Sequence, residues 1–248
     1  MSLWLVGGHD PTHGAGLFRD LSTAKTLAPS IPRRFAVTAL TEQGHGRPAR
    51  STPVGAERLR RRLERWPGAR VVKLGLVPDS LAATVAAWAK GSTAPVVLDP
   101  VLNATDGGAL GSSPDGLAPL LDVATVITPN RHEAQALTNT QCDDANDVAQ
   151  ALSRRFPGTA VLLKGGHDPD PEHVVDRLIR GTQVVSFRRP RVPGPDPRGT
   201  GCALATAIAA LLATGRGLEQ AVEGAVMWLD VRRAAWTRGP DGRAHLPD

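Results

Sequence analysis

The chain predicts an α/β fold built on a mainly parallel sheet, widened at one edge by an antiparallel hairpin. Short apolar runs alternate with longer segments of helical period along its 248 residues, the pattern of βα units wrapped around such a sheet. Val174 to Ile179 and Gln183 to Phe187 are separated only by Arg180-Gly181-Thr182, which reads as a hairpin. No internal repeat and no linker interrupts this order, and the length suits one core, so a single domain over residues 1–248 is expected.

Taken in order, Leu3 to Val6 is an apolar strand that runs into Gly7-Gly8-His9-Asp10-Pro11-Thr12-His13-Gly14-Ala15-Gly16, a glycine-rich turn opening a helix over Gly16 to Leu27. Phe35 to Leu40 is the next strand. The composition between Gly44 and Pro53 shifts to glycine, proline and polar residues, which predicts a long surface loop of the kind that covers active sites. A helix over Ala56 to Arg65 leads to the strand Val71 to Leu74, and a helix over Ser80 to Lys90 leads to the strand Val96 to Leu98. Thr125 to Ile127 and Val161 to Leu163 are apolar enough to be buried on both faces. Helices over Arg131 to Leu137 and Asp144 to Phe156 lie between them. After the hairpin, Arg188 to Arg198 is proline-rich and basic and predicts a second covering loop. Two helices follow, Gly201 to Ala213 and Leu218 to Ala235.

Composition narrows the function classes. Two cysteines, Cys142 and Cys202, are too few for a disulfide framework and lie in no metal-type spacing, which argues against structural zinc. No apolar stretch approaches a membrane span and no basic leader precedes the first strand, so a cytoplasmic protein without membrane contact is expected. The formal net charge is +5. Its densest contribution, Arg58, Arg60, Arg61, Arg62 and Arg65, is interleaved with Glu57 and Glu64 rather than aromatics, the signature of a solvated helix face and not of a nucleic-acid surface. A basic balance also suits anionic substrates such as ATP.

Nearly every polar residue of interest stands where a strand ends, and in open α/β sheets ligands bind outside the strands' carboxyl ends. Gly199-Thr200-Gly201-Cys202 precedes the small-residue run Ala203 to Ala213. A glycine turn opening a helix offers backbone N–H groups and positive dipole density to an anion, and a thiol at that entrance can accept a proton if the helix terminus lowers its pKa. Read structurally, the same residues are a turn with a buried cysteine. Asp10 and Asp20 can accept hydrogen bonds from a polar heterocycle; alternatively Asp10 caps its turn and Asp20 faces solvent. Gln43, at a strand end, can read the edge of an aminopyrimidine with both a donor and an acceptor; alternatively it is a surface residue. Asp99, after a buried strand, and Glu133, in the first turn after Thr128-Pro129-Asn130, suit Mg²⁺ held partly through water and phosphate; each alone is equally a turn former or a first-turn charge. Lys164, followed by Gly165-Gly166, can reach phosphates as a point charge. G-x-x-x-x-G-K-[ST] is absent, so this is not a P-loop protein.

These residues fall into motifs that resemble the hydroxymethylpyrimidine and phosphomethylpyrimidine kinases of thiamine biosynthesis, a branch of the ribokinase-like superfamily. G-x-D-P followed by G-A-G, V-T-A-L-x-x-Q, V-L-D-P-V, I-T-P-N-x-x-E-A, V-L-L-K-G-G-H and G-T-G-C-A-L-A-T-A-I-A occur in the family's order along nearly the whole chain. The resemblance implies a three-layer αβα sandwich, a homodimer, ATP and Mg²⁺ as cofactors, and a small-molecule pyrimidine substrate. It places Gly8, Asp20, Gln43 and Val101 around the pyrimidine, Lys164, Asn130 and Glu133 at ATP, and Asp99 with Glu133 at the metal. Gly199, Thr200 and Gly201 become an anion hole and Cys202 the base, where sugar kinases of the superfamily have aspartate. Three departures stand out: Arg198 replaces the family's His before G-T-G-C, His13 replaces a glycine, and Gly44 replaces an Asn in a loop that does not follow the family. Arg198 then either binds a phosphate or marks a divergent member. The competing expectations are a pyridoxal-type kinase and a catalytically weak ligand-binding or regulatory homologue.

Overall fold

A computed structural model describes the chain except residues 45–46, 66–67, 104–107, 109, 142–143, 167, 169 and 248, and describes only the backbone at 43–44 and 47–48. In chain order the elements are β1 (Ser2–His9), α1 (Gly16–Leu27), β2 (Arg33–Gly44), β3 (Arg47–Pro53), α2 (Ala56–Glu64), β4 (Ala69–Leu74), α3 (Asp79–Lys90), β5 (Val96–Leu98), α4 (Ala118–Leu121) and β6 (Val126–Ile127). Then come α5 (Arg131–Thr138), α6 (Ala145–Arg155), β7 (Ala160–Leu163), β8 (His173–Arg180), β9 (Gln183–Pro190), α7 (Thr200–Ala213), α8 (Leu218–Ala234), β10 (Thr237–Arg238) and β11 (Ala244–His245).

Among the described residues, nine strands form one sheet in the order β3-β2-β1-β4-β5-β6-β7-β8-β9. The six from β2 to β7 are parallel. The hairpin β8–β9 adds antiparallel strands at one edge, as the sequence predicts. The other edge differs. The stretch expected to be a surface loop between Gly44 and Pro53 is largely β3, paired antiparallel to β2 with Ala39 opposite Pro53 and Leu40 opposite Thr52. A proline at the end of an edge strand loses no ladder bond, and arginine tolerates an edge, so a loop-like composition is compatible with a strand here.

Alternation along β1 shows how the three layers arise. Trp4 and Val6 point to one face, where they join Leu59 and Leu63 of α2, Leu81 and Val85 of α3, and Val148 and Leu152 of α6. Leu3 and Leu5 point to the other, into a core with Leu17 of α1 and the apolar residues of α7 and α8. Successive strand residues face opposite sides, so a strand covered by helices on both faces reads as a continuous apolar run. Helix α7 is itself embedded. Its alanines at 203, 205, 207, 209, 210 and 213 are buried together with Leu204 and Ile208, and small side chains let it lie close to β1, β4 and β5. The short helix α4 and the ribbon β10–β11 have no signal in the sequence reading.

Candidate active site

Strand β1 is flanked by β2 on one side and β4 on the other. The chain reverses its direction of sheet growth there, which opens a crevice at the strands' carboxyl ends. A cavity of about 590 Å³ occupies that crevice, lined by Gly8, Asp20, Asp99, Lys164, Gly201 and Cys202 among others. Residues predicted separately from four motifs, together with Asp20, therefore meet in one place. Val101, Asn130, Glu133, Gly199 and Thr200 also line it. The side chain of Gln43 lies outside the described residues.

Asp99 follows β5 and Lys164 follows β7, and the parallel register brings them together: Lys164 Nζ is 3.1 Å from Asp99 Oδ1 and 3.7 Å from Glu133 Oε2. Asp99 is only 2% exposed, and Thr128 Oγ1 donates to its Oδ1 at 3.3 Å. Glu133 sits in the first turn of α5, where Asn130 and Glu133 form a capping box: Glu133 N donates to Asn130 Oδ1 at 2.9 Å and Asn130 N to Glu133 Oε2 at 2.8 Å. Glu133 thus caps the helix while lining the cavity. Burial pushes its carboxyl above the usual range, with Lys164 opposing that shift and Asp99 reinforcing it. Burial also works against the charge on Lys164, but Asp99 and Glu133 outweigh it and hold the ammonium firmly protonated. Among the described residues no three His, Cys, Asp or Glu side chains group as a metal site. Two carboxylates beside a lysine fit Mg²⁺, which keeps several waters and takes further oxygens from phosphate.

Gly199 enters α7 with φ of 76°. A methyl group added there would run into the carbonyl oxygen of Gly14, so both the backbone angle and the close approach require glycine. No side chain caps α7, leaving its first N–H groups directed at the cavity. A Cβ on Gly201 would lie 3.4 Å from Lys164 Nζ and 3.6 Å from Asp99 Oδ2, which sets the turn directly against the charged pair. Cys202 is half-buried. The expected lowering of its pKa is not found: burial pushes the thiol up to about 11, assisted by the carboxylates of Asp20 and Asp99. Lys73 and the backbone N–H of Gly16 act in the other direction but do not prevail. The helix entrance is real, but the site is drier than the sequence suggests, and desolvation disfavours thiolate.

Asp20 is fully buried, not solvent-facing. Its two oxygens each accept from Lys73 Nζ at 2.9 Å, and Thr206 Oγ1 donates to Oδ1 at 2.8 Å. Lys73 and Thr206 are site residues that the sequence reading missed. The signal for Lys73 is present, namely a lone charge inside the apolar run Val71-Val72-Lys73-Leu74, which demands a buried partner.

Asp10 caps its turn, accepting from Thr12 N and Ala15 N, each at 3.0 Å. It also pairs with Arg198, whose guanidinium is 3.1 Å from Asp10 Oδ2 and 2.7 Å from Asp241 Oδ2. Arg198 is 4% exposed and is committed to two carboxylates, which speaks against its taking a phosphate. His13, at φ of 62°, occupies the left-handed conformation that a glycine in its place would adopt without strain, and its ring stacks on Phe18. His245 Nε2 lies 2.8 Å from Asp241 Oδ1. Burial raises the Asp241 carboxyl, but the hydrogen bonds from Arg198 and Arg243 N and the charges of His245 and Arg198 lower it further, leaving it below the usual value. A carboxyl whose folded pKa is depressed contributes stability above its unfolded pKa of about 3.9 and loses it as the pH falls through the folded value. The gap in urea midpoint between the wild type and Asp241→Asn should therefore be constant from pH 7 to pH 5 and narrow below about pH 4. A gap unchanged down to pH 3 would contradict this assignment.

The sequence profile of the phosphomethylpyrimidine kinase family matches residues 10–241. A hydroxymethylpyrimidine/phosphomethylpyrimidine kinase of Streptomyces coelicolor is 36% identical over 228 residues, covering 89% of this chain and 84% of that protein. A thiamine biosynthesis bifunctional protein of Geobacter sulfurreducens is 34% identical over 263 residues, covering 99% of this chain and 51% of the larger protein. In three dimensions the chain superposes on the pyridoxal kinase of Staphylococcus aureus, solved with AMP-PCP and pyridoxal, with a TM-score of 0.86 at 24% identity, covering 99% of this chain and 92% of that one. At that identity the likeness speaks for the fold.

Proposed function

The chain belongs to the phosphomethylpyrimidine kinase family, and on that premise we propose that it is one kinase domain transferring the γ-phosphoryl group of ATP to 4-amino-5-hydroxymethyl-2-methylpyrimidine, to its monophosphate, or to both. The single observation that carries this reading is the convergence of the Gly199–Cys202 turn, Lys164 and Asp99 on one cavity. In the reaction the substrate's hydroxyl oxygen, or a phosphate oxygen of the monophosphate, bonds to the γ-phosphorus, the bond to the ADP oxygen breaks, and in the first case the hydroxyl proton leaves to a base. Little covalent work falls to the protein, so positioning and charge stabilisation dominate.

The amides opening α7 receive the oxygens of the transferring group, and Lys164 adds a fixed positive charge beside them. Asp99 and Glu133 would hold Mg²⁺, which supplies neutralisation of phosphate charge. At the β1–β2 end of the cavity, Gly8, Val101 and the Lys73-bound Asp20 form the pyrimidine pocket. Val174, Leu204 and Leu229 at the far end offer an apolar surface to a nucleotide base. Cys202 accepts the hydroxyl proton. It can do so only as the thiolate, so the thiol, held near 11 in the free protein, must first give up its own proton to solvent. We place the protein in the cytoplasm as a homodimer.

Incubation with Mg-ATP and the unphosphorylated pyrimidine, followed by product analysis, tests the reading. Pyrimidine mono- or diphosphate is expected, and which of them accumulates reports the step. Turnover of pyridoxal with no pyrimidine product would instead assign the pocket to a pyridine alcohol. Ligand binding without any turnover would make the protein a non-catalytic homologue.

A further inference from the structure

One buried polar cluster lies beside the phosphate-facing residues without belonging to them. It joins three segments far apart in sequence: the first βα turn through Asp10 and Thr12, the residue before the glycine turn of α7 through Arg198, and the β10–β11 ribbon through Asp241 and His245. Arg198 Nη2 meets Asp10 Oδ2, while Nη1 meets Asp241 Oδ2 and donates to Thr12 Oγ1 at 2.9 Å. Its backbone is fixed as well, since Arg198 N donates to Ala244 O at 2.8 Å and the residue forms a parallel bridge with His245. Arg198 and His245 are buried, and the side chains of Asp10 and Asp241 are almost wholly enclosed.

We propose that Arg198 and Asp241 are positioning residues for phosphoryl transfer, holding the glycine turn of α7 against the first βα turn at the spacing the terminal phosphoryl group needs. The inference rests on the kinase reading above. A guanidinium presents a planar fork, and here its two terminal nitrogens engage carboxylates of different segments, a geometry that lysine or histidine cannot reproduce. Gly199, immediately next in the chain, rests on the Gly14 carbonyl without room for a methyl group. A Cβ on Gly14 would lie 2.7 Å from His245 Cε1, so the ribbon braces the first turn from behind while Arg198 draws the second turn onto it. The first turn reaches the chemistry directly, because Gly16 lines the same cavity as Cys202. Releasing the clamp lets the two turns separate by a fraction of an ångström. Displacements of that size are felt at the terminal phosphoryl group, in the rate and in the hold on a γ-phosphoryl analogue, before they are felt in the binding of the rest of the nucleotide.

The test compares the full-length wild type with Asp241→Asn, which keeps shape and loses the charge, and with Arg198→Lys, which keeps the charge but can serve only one carboxylate at a time. Calorimetry with Mg-ADP and with Mg-AMP-PCP is paired with steady-state kinetics on the pyrimidine, normalised to folded protein. Arg238→Ala, on the exposed face of the same ribbon, is the control and should match the wild type. In Asp241→Asn the ADP affinity should stay within about threefold of the wild type, AMP-PCP should weaken about tenfold relative to ADP, and kcat should fall about ten- to a hundredfold with KM for the pyrimidine little changed. Arg198→Lys should show the same pattern with a smaller loss, and it carries the test alone if Asp241→Asn does not fold. Variants that lose thermal stability but keep the ADP to AMP-PCP ratio and kcat would overturn the proposal. So would an equal loss of both nucleotides in Arg198→Lys, which would make Arg198 a direct phosphate ligand. A wild type that binds neither nucleotide would overturn the kinase reading itself.

Discussion

Cys202→Ala is expected to lower kcat by about 10²–10⁴-fold, the usual contribution of a positioned acid–base group, while KM for the pyrimidine changes by less than about threefold. The thiol stands at the entrance of α7 beside amides directed at the cavity, and it contributes little to the core because it is half-buried. The melting temperature should consequently move little. Steady-state kinetics and a thermal melt on the same preparation check both halves. Turnover within tenfold of the wild type would remove Cys202 from the proton path and leave the reaction to the amides and Lys164. The high thiol pKa sharpens the test, because only the thiolate can take up the proton and the free protein holds the group as the thiol.

Lys73→Met should be the most destabilising single change in the site. It leaves the Asp20 carboxylate buried without its ammonium partner, a situation that costs about 3–5 kcal/mol. Asp20 can escape only by taking up a proton. At pH 7 that costs about 4 kcal/mol for a group of ordinary pKa near 3.9, at about 1.4 kcal/mol per unit. Burial already raises the Asp20 carboxyl against the opposing pull of Lys73 and Thr206, so removing Lys73 raises it further. A carboxyl with a raised folded pKa is penalised increasingly as the pH climbs above its unfolded value. The stability deficit of Lys73→Met should therefore be largest at pH 7 and shrink toward pH 4, as read from urea midpoints. The double variant Asp20→Leu with Lys73→Met should recover most of the lost stability, since an apolar pair replaces a buried ion pair at small cost or none. It should not recover pyrimidine binding if Asp20 belongs to the pocket. A deficit independent of pH would show that lost packing, not the uncompensated charge, is responsible.

The contrast between Asp99 and Lys73 explains how much of this protein is legible in its sequence. Asp99 is conspicuous because it ends a short apolar run, and the crevice rule for parallel sheets converts that local fact into a place near the ligand. The same logic finds Lys164, Gly8 and the turn of α7, and apolar periodicity sets the helix limits to within a residue or two. Lys73 needs a partner 53 residues away and Arg198 needs partners 188 and 43 residues away, separations about which periodicity says nothing. Strand β3 was hidden for a related reason, since its pairing with β2, not its own proline- and arginine-rich composition, makes it a strand. For Cys202 the sequence exposes the helix terminus, which lowers a thiol pKa, but not the enclosure that raises it. The sign of the balance is a tertiary property.

The embedding of α7 has one further consequence. Its alanine-rich body is enclosed, and the turn that lines the cavity is merely the end of that rod. A close-packed interior yields very little before it fails, so the tolerance of that turn is inherited from side chains two and three helical turns away. Mutational drift at positions such as Ala207 or Ala210 would accordingly erode turnover while the protein still folds, and survival of the fold is a poor proxy for survival of the activity.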